Sequence, residues 1–223
     1  MTAKVFDFKQ FSVRREYAGM KLSTDSVLLG AWTADYLIRR SRDKDLQQSS
    51  YPDRPVEHIL DIGTGSGCIA ISLALQKDTN VTAWDFSEKA LSIARKNAEM
   101  LKATVSFECQ DILKVSYPQD SFWDIIISNP PYICKKEAAL METNVLDHEP
   151  HEALFVPDEE PLLFYEAIGK YAIEGLKTNG LLAFEINPLY ANQLYESLSH
   201  QGFHDISILN DSYGKQRFIL CYK

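Results

Sequence analysis

The stretch ILDIGTGSGCIAISLA, residues 59–74, decides the fold. Val56–Ile62 is a short apolar run that ends at Gly63, and a helical pattern spans Gly67–Gln76. Between them Asp61, Gly63, Gly65 and Gly67 form a strand–turn–helix junction in which glycines permit a tight turn and a close approach of ligand to backbone. The next acid at a strand end is Asp85, closing Val81–Trp84. A carboxylate some 20 residues beyond a glycine loop suits the hydroxyls of a ribose.

The spacing separates two nucleotide ligands. A dinucleotide seats its pyrophosphate on the helix N-terminus through GxGxxG. Here the loop is GxGxG and Asp61 precedes it, an acid that repels a pyrophosphate and suits a ligand bearing an ammonium and a sulfonium. S-adenosylmethionine is therefore the expected cofactor. Its expected contacts are Asp61, Ile62, Gly63, Thr64, Gly65 and Gly67 in the loop, Asp85 and Phe86 after the second strand, Asp111 and Ile112 after the third, and Asn129 after the fourth. Asp111 reads equally well as a helix N-cap.

Outward from this junction strands and helices alternate. Ser87 caps a helix that runs to Leu101; Val105–Cys109 and Phe122–Ser128 are strands; Pro161–Leu176 is a helix ended by the turn Lys177–Gly180. Leu181–Ile186 is a strand, Leu189–His200 a helix, and Ile206–Leu209 and Arg217–Tyr222 are two strands around a short turn. Alternation of this kind predicts an α/β fold with a mostly parallel sheet covered on both faces, and the last two strands an antiparallel edge pair. Upstream, a helix is predicted from about Ser26 and the polar segment 41–55 reads as a linker loop. The expected organisation is an N-terminal segment over 1–40 closing on the site, the linker, and a catalytic domain over 56–223.

Composition narrows the function classes. Hydrophobic residues make up 45% and charged residues 24%, an ordinary globular balance. No apolar run approaches the length of a membrane span, and the N-terminus lacks an apolar signal core, so a cytoplasmic location without membrane contact is expected. The four cysteines are scattered without a CxxC pair, which suits reduced thiols. The net charge is −8, whereas a phosphate-binding protein usually carries a basic face; residues 1–22 hold five cations against two anions, a small local excess of +3.

The fourth strand leaves through SNPPYI, residues 128–133. Ligands of open parallel sheets bind outside the carboxyl ends of the strands, so Asn129, Pro130, Pro131 and Tyr132 are the expected catalytic residues. An amide or aromatic amine nitrogen is a poor nucleophile because its lone pair is delocalised. Two acceptors, the Asn129 side-chain oxygen and the Pro130 carbonyl, can hold such an NH2 group and favour a localised lone pair. Proline stiffens this backbone, and Tyr132 can stack on a flat substrate group. Prolines and Asn also simply terminate strands; the glycine loop beside them favours the chemical reading.

DIGTGSGCIAISLA together with SNPPYI resembles the amino-group N-methyltransferases of the Rossmann-like, adenosylmethionine-dependent class I. The likeness narrows through NVLDHEPHEALFVPDEEPLLFYEAI (144–168), LLAFEIN (181–187) and the terminal GFHDISILNDSYGKQRFILCYK (202–223). These segments resemble the HemK family, which implies a seven-stranded sheet, methylation of the glutamine N5 in the GGQ motif of peptide chain release factors, and a release factor as partner. It further implies that Asp61–Gly65 and Gly67 line the methionine part of the cofactor, that Asp85 holds the ribose, that Ile112 sits near adenine, and that Asn129–Tyr132 grip the glutamine amide. Two departures stand out. HemK proteins usually carry an N-terminal helical domain, and LSTDS (22–26) stands where they show a PRxET-like stretch. Residues 6–32 instead resemble the opening of the adenine-N6 methyltransferases of tRNA(Val), which makes tRNA the alternative partner. A cofactor-binding module without catalysis is the third reading. His148 and His151 offer no third metal ligand, so no metal is expected; Cys134 lacks the His or Asp partner of a nucleophile; Trp32, Trp84 and Trp123 read as core or cofactor wall.

Overall fold

A computed structural model describes residues 5–7, 12–14, 29, 30, 33, 56–75, 79–140, 151–211 and 213–223. The expected helix start near Ser26, the LSTDS stretch, Trp32, the linker loop and His148 lie outside the described residues.

Strands β1 (Val5–Asp7) and β2 (Ser12–Arg14) pair antiparallel. The glycine junction then gives β3 (His58–Ile62) and α1 (Cys68–Ala74), followed by β4 (Asn80–Asp85), α2 (Glu88–Leu101) and β5 (Val105–Cys109). After β6 (Trp123–Ser128) come the short β7 (Ile133–Cys134) and β8 (Phe155–Val156), which pair parallel with each other. The chain ends with α3 (Leu163–Gly175), β9 (Leu176–Glu185), α4 (Ala191–Gln201), β10 (His204–Asn210) and β11 (Gln216–Tyr222).

Seven strands form one sheet in the order β10-β11-β9-β6-β3-β4-β5. The run from β9 to β5 is parallel, and β11 and β10 add antiparallel at one edge. This is the Rossmann-like architecture of class I methyltransferases. Every residue of β6 is buried, as a central parallel strand requires. The period of two along the strand sorts its isoleucines between layers. Ile125 and Ile127 share one core cluster with Leu29, Ile69 and Leu73, whereas Ile126 belongs to another with Tyr165, Ile168, Leu194 and Leu198. One face is thus covered by α1 and the other by α3 and α4.

The connections place the site. The chain runs outward from β3 through β4 to β5, then returns to lay β6 on the other side of β3. The order reverses between β3 and β6, and ligands of such sheets bind in the crevice at that reversal. Register fixes the level: Ile62 stands opposite both Trp84 and Ser128. Gly63, Asp85 and Asn129 each follow the residue so paired and emerge at one mouth.

Three local expectations are corrected. The turn over Lys177–Gly180 is absorbed into β9, which already begins at Leu176. Trp123 pairs with Leu176 and Ile125 with Leu181, so the intervening residues bulge opposite Asp124, with Asn179 at φ 56°. The helix expected from Leu189 begins with a single 3-10 turn, Pro188–Tyr190, which Asn187 caps by accepting from the Leu189 N–H at 3.1 Å. Ile206–Leu209 is the middle of a longer strand that extends to His204 and Asn210.

Candidate active site

The glycine loop is held from within. Gly63 and Thr64 both donate their backbone N–H to the Trp84 carbonyl at 2.9 Å, which binds the end of β3 to β4. Asp61 is fully buried; its Oδ2 accepts from Thr64 Oγ1 at 2.6 Å and from the Ala70 N–H at 3.2 Å, stapling the loop to the first turn of α1. Its other oxygen, Oδ1, is buried without a hydrogen-bond partner. Burial pushes the Asp61 carboxyl up to about 7, against the lowering effect of Thr64 and Ala70. Gly67 adopts φ +81° where a Cβ would stand 3.0 Å from Ala94 Cβ and Ile71 Cδ1, so glycine lets α1 start hard against α2. From α2 itself Asn97, fully buried, donates Nδ2 to the Ser66 carbonyl at 2.9 Å.

Asp85 faces this loop across the sheet. One oxygen accepts from the Gly65 N–H and the other from the Ser87 N–H, each at 2.9 Å. The carboxylate therefore braces the loop as well as lining the cleft, and each oxygen retains a lone pair for a hydroxyl donor. Burial raises its pKa, opposed by the two backbone donors.

On the β6 side Ser128 Oγ donates to the Ile62 carbonyl at 2.6 Å, tying the two strand ends together. Asn129 is buried and lines the cleft with Pro130 and Pro131. The Asn129 carbonyl lies 3.9 Å from where a Gly63 side chain would begin, so the two loops are in contact. Tyr132 is turned inward: its hydroxyl donates to Glu185 Oε1 at 2.9 Å and its ring packs against the core beside α3.

The cleft encloses about 980 Å³ including its open mouth. Of the residues expected from the sequence, Ile62, Gly63, Gly65, Asp85, Phe86, Asp111, Ile112, Asn129, Pro130 and Pro131 line it. Asp61, Thr64, Gly67 and Tyr132 stand behind that wall, where they shape the two loops. Phe86 is 51% exposed at the rim. Asp111 carries the geometry of a cap: Oδ1 accepts from the Leu113 N–H at 3.0 Å and Oδ2 pairs with Lys114 at 2.8 Å, and the Lys114 bond holds its pKa below the usual value. Lys89, Gln110, Ala153, Phe164 and Ile168 also line it and were not foreseen. Ala153 reaches the cleft from the helical turn His151–Leu154.

Trp84 and Trp123 are core residues, their indole N–H groups donating to Glu108 at 3.0 Å and Tyr171 at 3.2 Å. Cys134 lies off the cleft with its sulfur 3.2 Å from the Tyr190 hydroxyl. Among the described residues no group of three His, Cys, Asp or Glu side chains could hold a metal ion, and no helix is long and apolar enough to cross a membrane.

Comparison with known proteins agrees with this geometry. A family described as a methyltransferase domain matches residues 54–182. A release factor glutamine methyltransferase from Bacteroides thetaiotaomicron is 47% identical over 185 residues, covering 82% of this chain and 66% of that protein. One from Lactococcus lactis is 42% identical over 210 residues, covering 92% of this chain and 73% of that protein. The chain thus spans about two thirds of the length of these curated relatives. Among solved structures, a putative S-adenosylmethionine-dependent methyltransferase from Methanococcus maripaludis shares the fold, with a TM-score of 0.56 at 17% identity, over 90% of this chain and 87% of that one. By motif, extent of match and architecture, the chain belongs to the release factor glutamine methyltransferase family.

Proposed function

We propose that this protein transfers the methyl group of S-adenosylmethionine to the side-chain amide nitrogen of a glutamine, the one in the GGQ motif of a peptide chain release factor, in the cytoplasm. The observation that carries this reading is the shared level of Gly63, Asp85 and Asn129 at the β3/β6 mouth. The family membership supports the acceptor.

The chain's residues fit the cofactor. Asp61 Oδ1 is an orphaned buried acceptor directly behind the loop, consistent with a cationic group binding in front of it. Asp85 would take the ribose hydroxyls on its remaining lone pairs. Phe86 and Ile112 would flank the adenine, and the Gly63–Gly65 backbone the methionine part. When bound, the cofactor supplies an electrophilic methyl carried on a sulfonium.

Asn129 and Pro130 do the rest. The Asn129 side-chain oxygen and the Pro130 carbonyl accept one hydrogen each from the amide NH2, which holds the nitrogen in place and favours a localised lone pair. As nitrogen gains the methyl its positive charge grows, and two fixed oxygen dipoles stabilise it more than they stabilise the neutral amide. The proton then leaves to solvent, and no strong base is needed. Catalysis is positioning plus electrostatics.

The test is transfer of labelled methyl with purified release factor and tRNA offered side by side. Label on the GGQ glutamine is the expected result. Label on tRNA alone would overturn this reading in favour of adenine-N6 methylation, and cofactor binding without transfer to either would leave a binding module.

A further inference from the structure

The stretch FEIN, residues 184–187, closes β9 beside the acceptor loop, and the proposed reaction as derived gives it no task. Glu185 ends β9 and Asn187 follows two residues later, and both are buried. Both reach the same residue. Tyr132 donates its hydroxyl to Glu185 Oε1 at 2.9 Å, and Asn187 Nδ2 donates to the Tyr132 carbonyl at 3.2 Å. The tyrosine is thus held at the tip of its side chain and at its backbone.

The hold has a firm base. Tyr165 donates its hydroxyl to the Glu185 carbonyl at 3.0 Å, and Glu185 pairs with Phe218 in β11. Asn187 also meets both Glu137 carboxylate oxygens at 3.2 and 3.1 Å, and Glu137 Oε1 accepts from the Cys134 N–H at 2.9 Å, so the chain just after Tyr132 is fixed by the same residue. Glu185 is 1% exposed. A buried carboxylate at a strand end is expensive, and an apolar residue would serve packing better. Packing alone does not explain its presence. Burial, with Glu185 next, keeps the Tyr132 pKa well above its ordinary value, so the hydroxyl stays a donor.

We propose that Glu185 is a positioning residue for methyl transfer. It acts through Tyr132, and Asn187 fixes the same tyrosine from its backbone, so that Asn129 and Pro130 keep their aim. The inference rests on the function proposed above. Tyr132 then contributes by its tether rather than by stacking on the acceptor.

The test uses the full 223-residue chain with release factor and labelled cofactor, and compares Tyr132→Phe, Glu185→Gln, Glu185→Ala and the Tyr132→Phe/Glu185→Ala pair. Loosening the loop by a fraction of an ångström should lower kcat by about tenfold to a hundredfold. Cofactor affinity should stay within about twofold, a split that a general loss of folded structure would not produce. Glu185→Gln keeps an oxygen for the tyrosine hydroxyl and should recover most of the rate lost in Glu185→Ala. The double variant should be no slower than the slower single variant. If Glu185→Ala does not fold, the Tyr132→Phe and Glu185→Gln rates decide the matter alone. Undiminished kcat in Tyr132→Phe, losses that multiply, or a loss confined to cofactor affinity would overturn this inference while leaving the proposed function standing. No transfer by the unaltered chain would overturn both.

Discussion

The two halves of the cleft are built differently. The cofactor half is braced over short distances: Gly65 and Asp85 are 20 residues apart, Asp61 and Ala70 only nine. The acceptor half is braced over long ones, Tyr132 meeting Glu185 and Asn187 at separations of 53 and 55 residues. A β–α–β unit can shape its own nucleotide loop, because strand, turn and helix are adjacent in sequence. The acceptor loop takes its shape only once β9 has docked beside β6. In the proposed reaction the first half would specify what is bound, and the second would hold what reacts.

The largest effect should fall on the acceptor half. In the proposed mechanism Asn129→Ala removes one of two oxygens that would act on a developing charge, and such groups are worth about a hundredfold to a thousandfold in rate. Cofactor affinity should change far less. Rates with saturating cofactor, set beside calorimetric binding, separate the two, and a loss shared equally between them would erase the distinction between the halves.

The next effect belongs to Asp61. Its folded pKa, raised to about 7 by burial, lies above the ordinary value of 3.8. The folded state therefore holds a proton that the unfolded state has released. Stability from this group is fully present below about pH 4 and is lost as pH rises toward 7, by up to about 1.4 kcal/mol per pH unit. Urea unfolding of the cofactor-free chain should show this decline, and Asp61→Asn should flatten it. An unchanged slope in the variant would mean that the decline arises elsewhere.

Asp85→Ala should reverse the Asn129 pattern. It removes a carboxylate that accepts from Gly65 and Ser87 and faces the cleft. Hydrogen bonds to charged groups contribute about 1.5–3 kcal/mol, so cofactor affinity should fall about tenfold to a hundredfold. The rate at saturating cofactor should fall less, which titration calorimetry and single-turnover kinetics would check.

The comparison sharpens further within the loop. Gly65 and Gly67 both have positive φ, but a Cβ meets nothing at Gly65 and crowds Ala94 and Ile71 at Gly67. Gly65→Ala should cost about 1–2 kcal/mol of stability through backbone strain. Gly67→Ala should cost about 1–3 kcal/mol more through overpacking. Thermal unfolding of the pair would show equal losses if the crowding were relieved.

What could be read in advance follows the same division. The placement of the glycine loop, Asp85 and the SNPPYI exit at one mouth was legible because it follows from local spacing around strand ends. The sheet followed from the alternation of β and α patterns. The inward turn of Tyr132 was not legible, since its partner lies in a strand that is not adjacent in sequence. Asn97 was overlooked although it carried a signal, a polar residue on the buried side of α2 between Ala94 and Ala98. Gln110 and Phe164 reach the cleft only through the placement of neighbouring elements. The strand that absorbs Lys177–Gly180 was hidden because those residues look like a turn, and only pairing of Leu176 with Trp123 begins the strand before them.

The central claim is that two fixed oxygens each take one hydrogen of a primary amide. Its most direct test is the number of methyl groups on the acceptor glutamine, read by mass spectrometry after prolonged reaction with excess cofactor. Once methylated, the nitrogen offers a single hydrogen and the paired grip is gone, so the reaction should stop at one methyl. Accumulation of dimethylated glutamine would contradict the account.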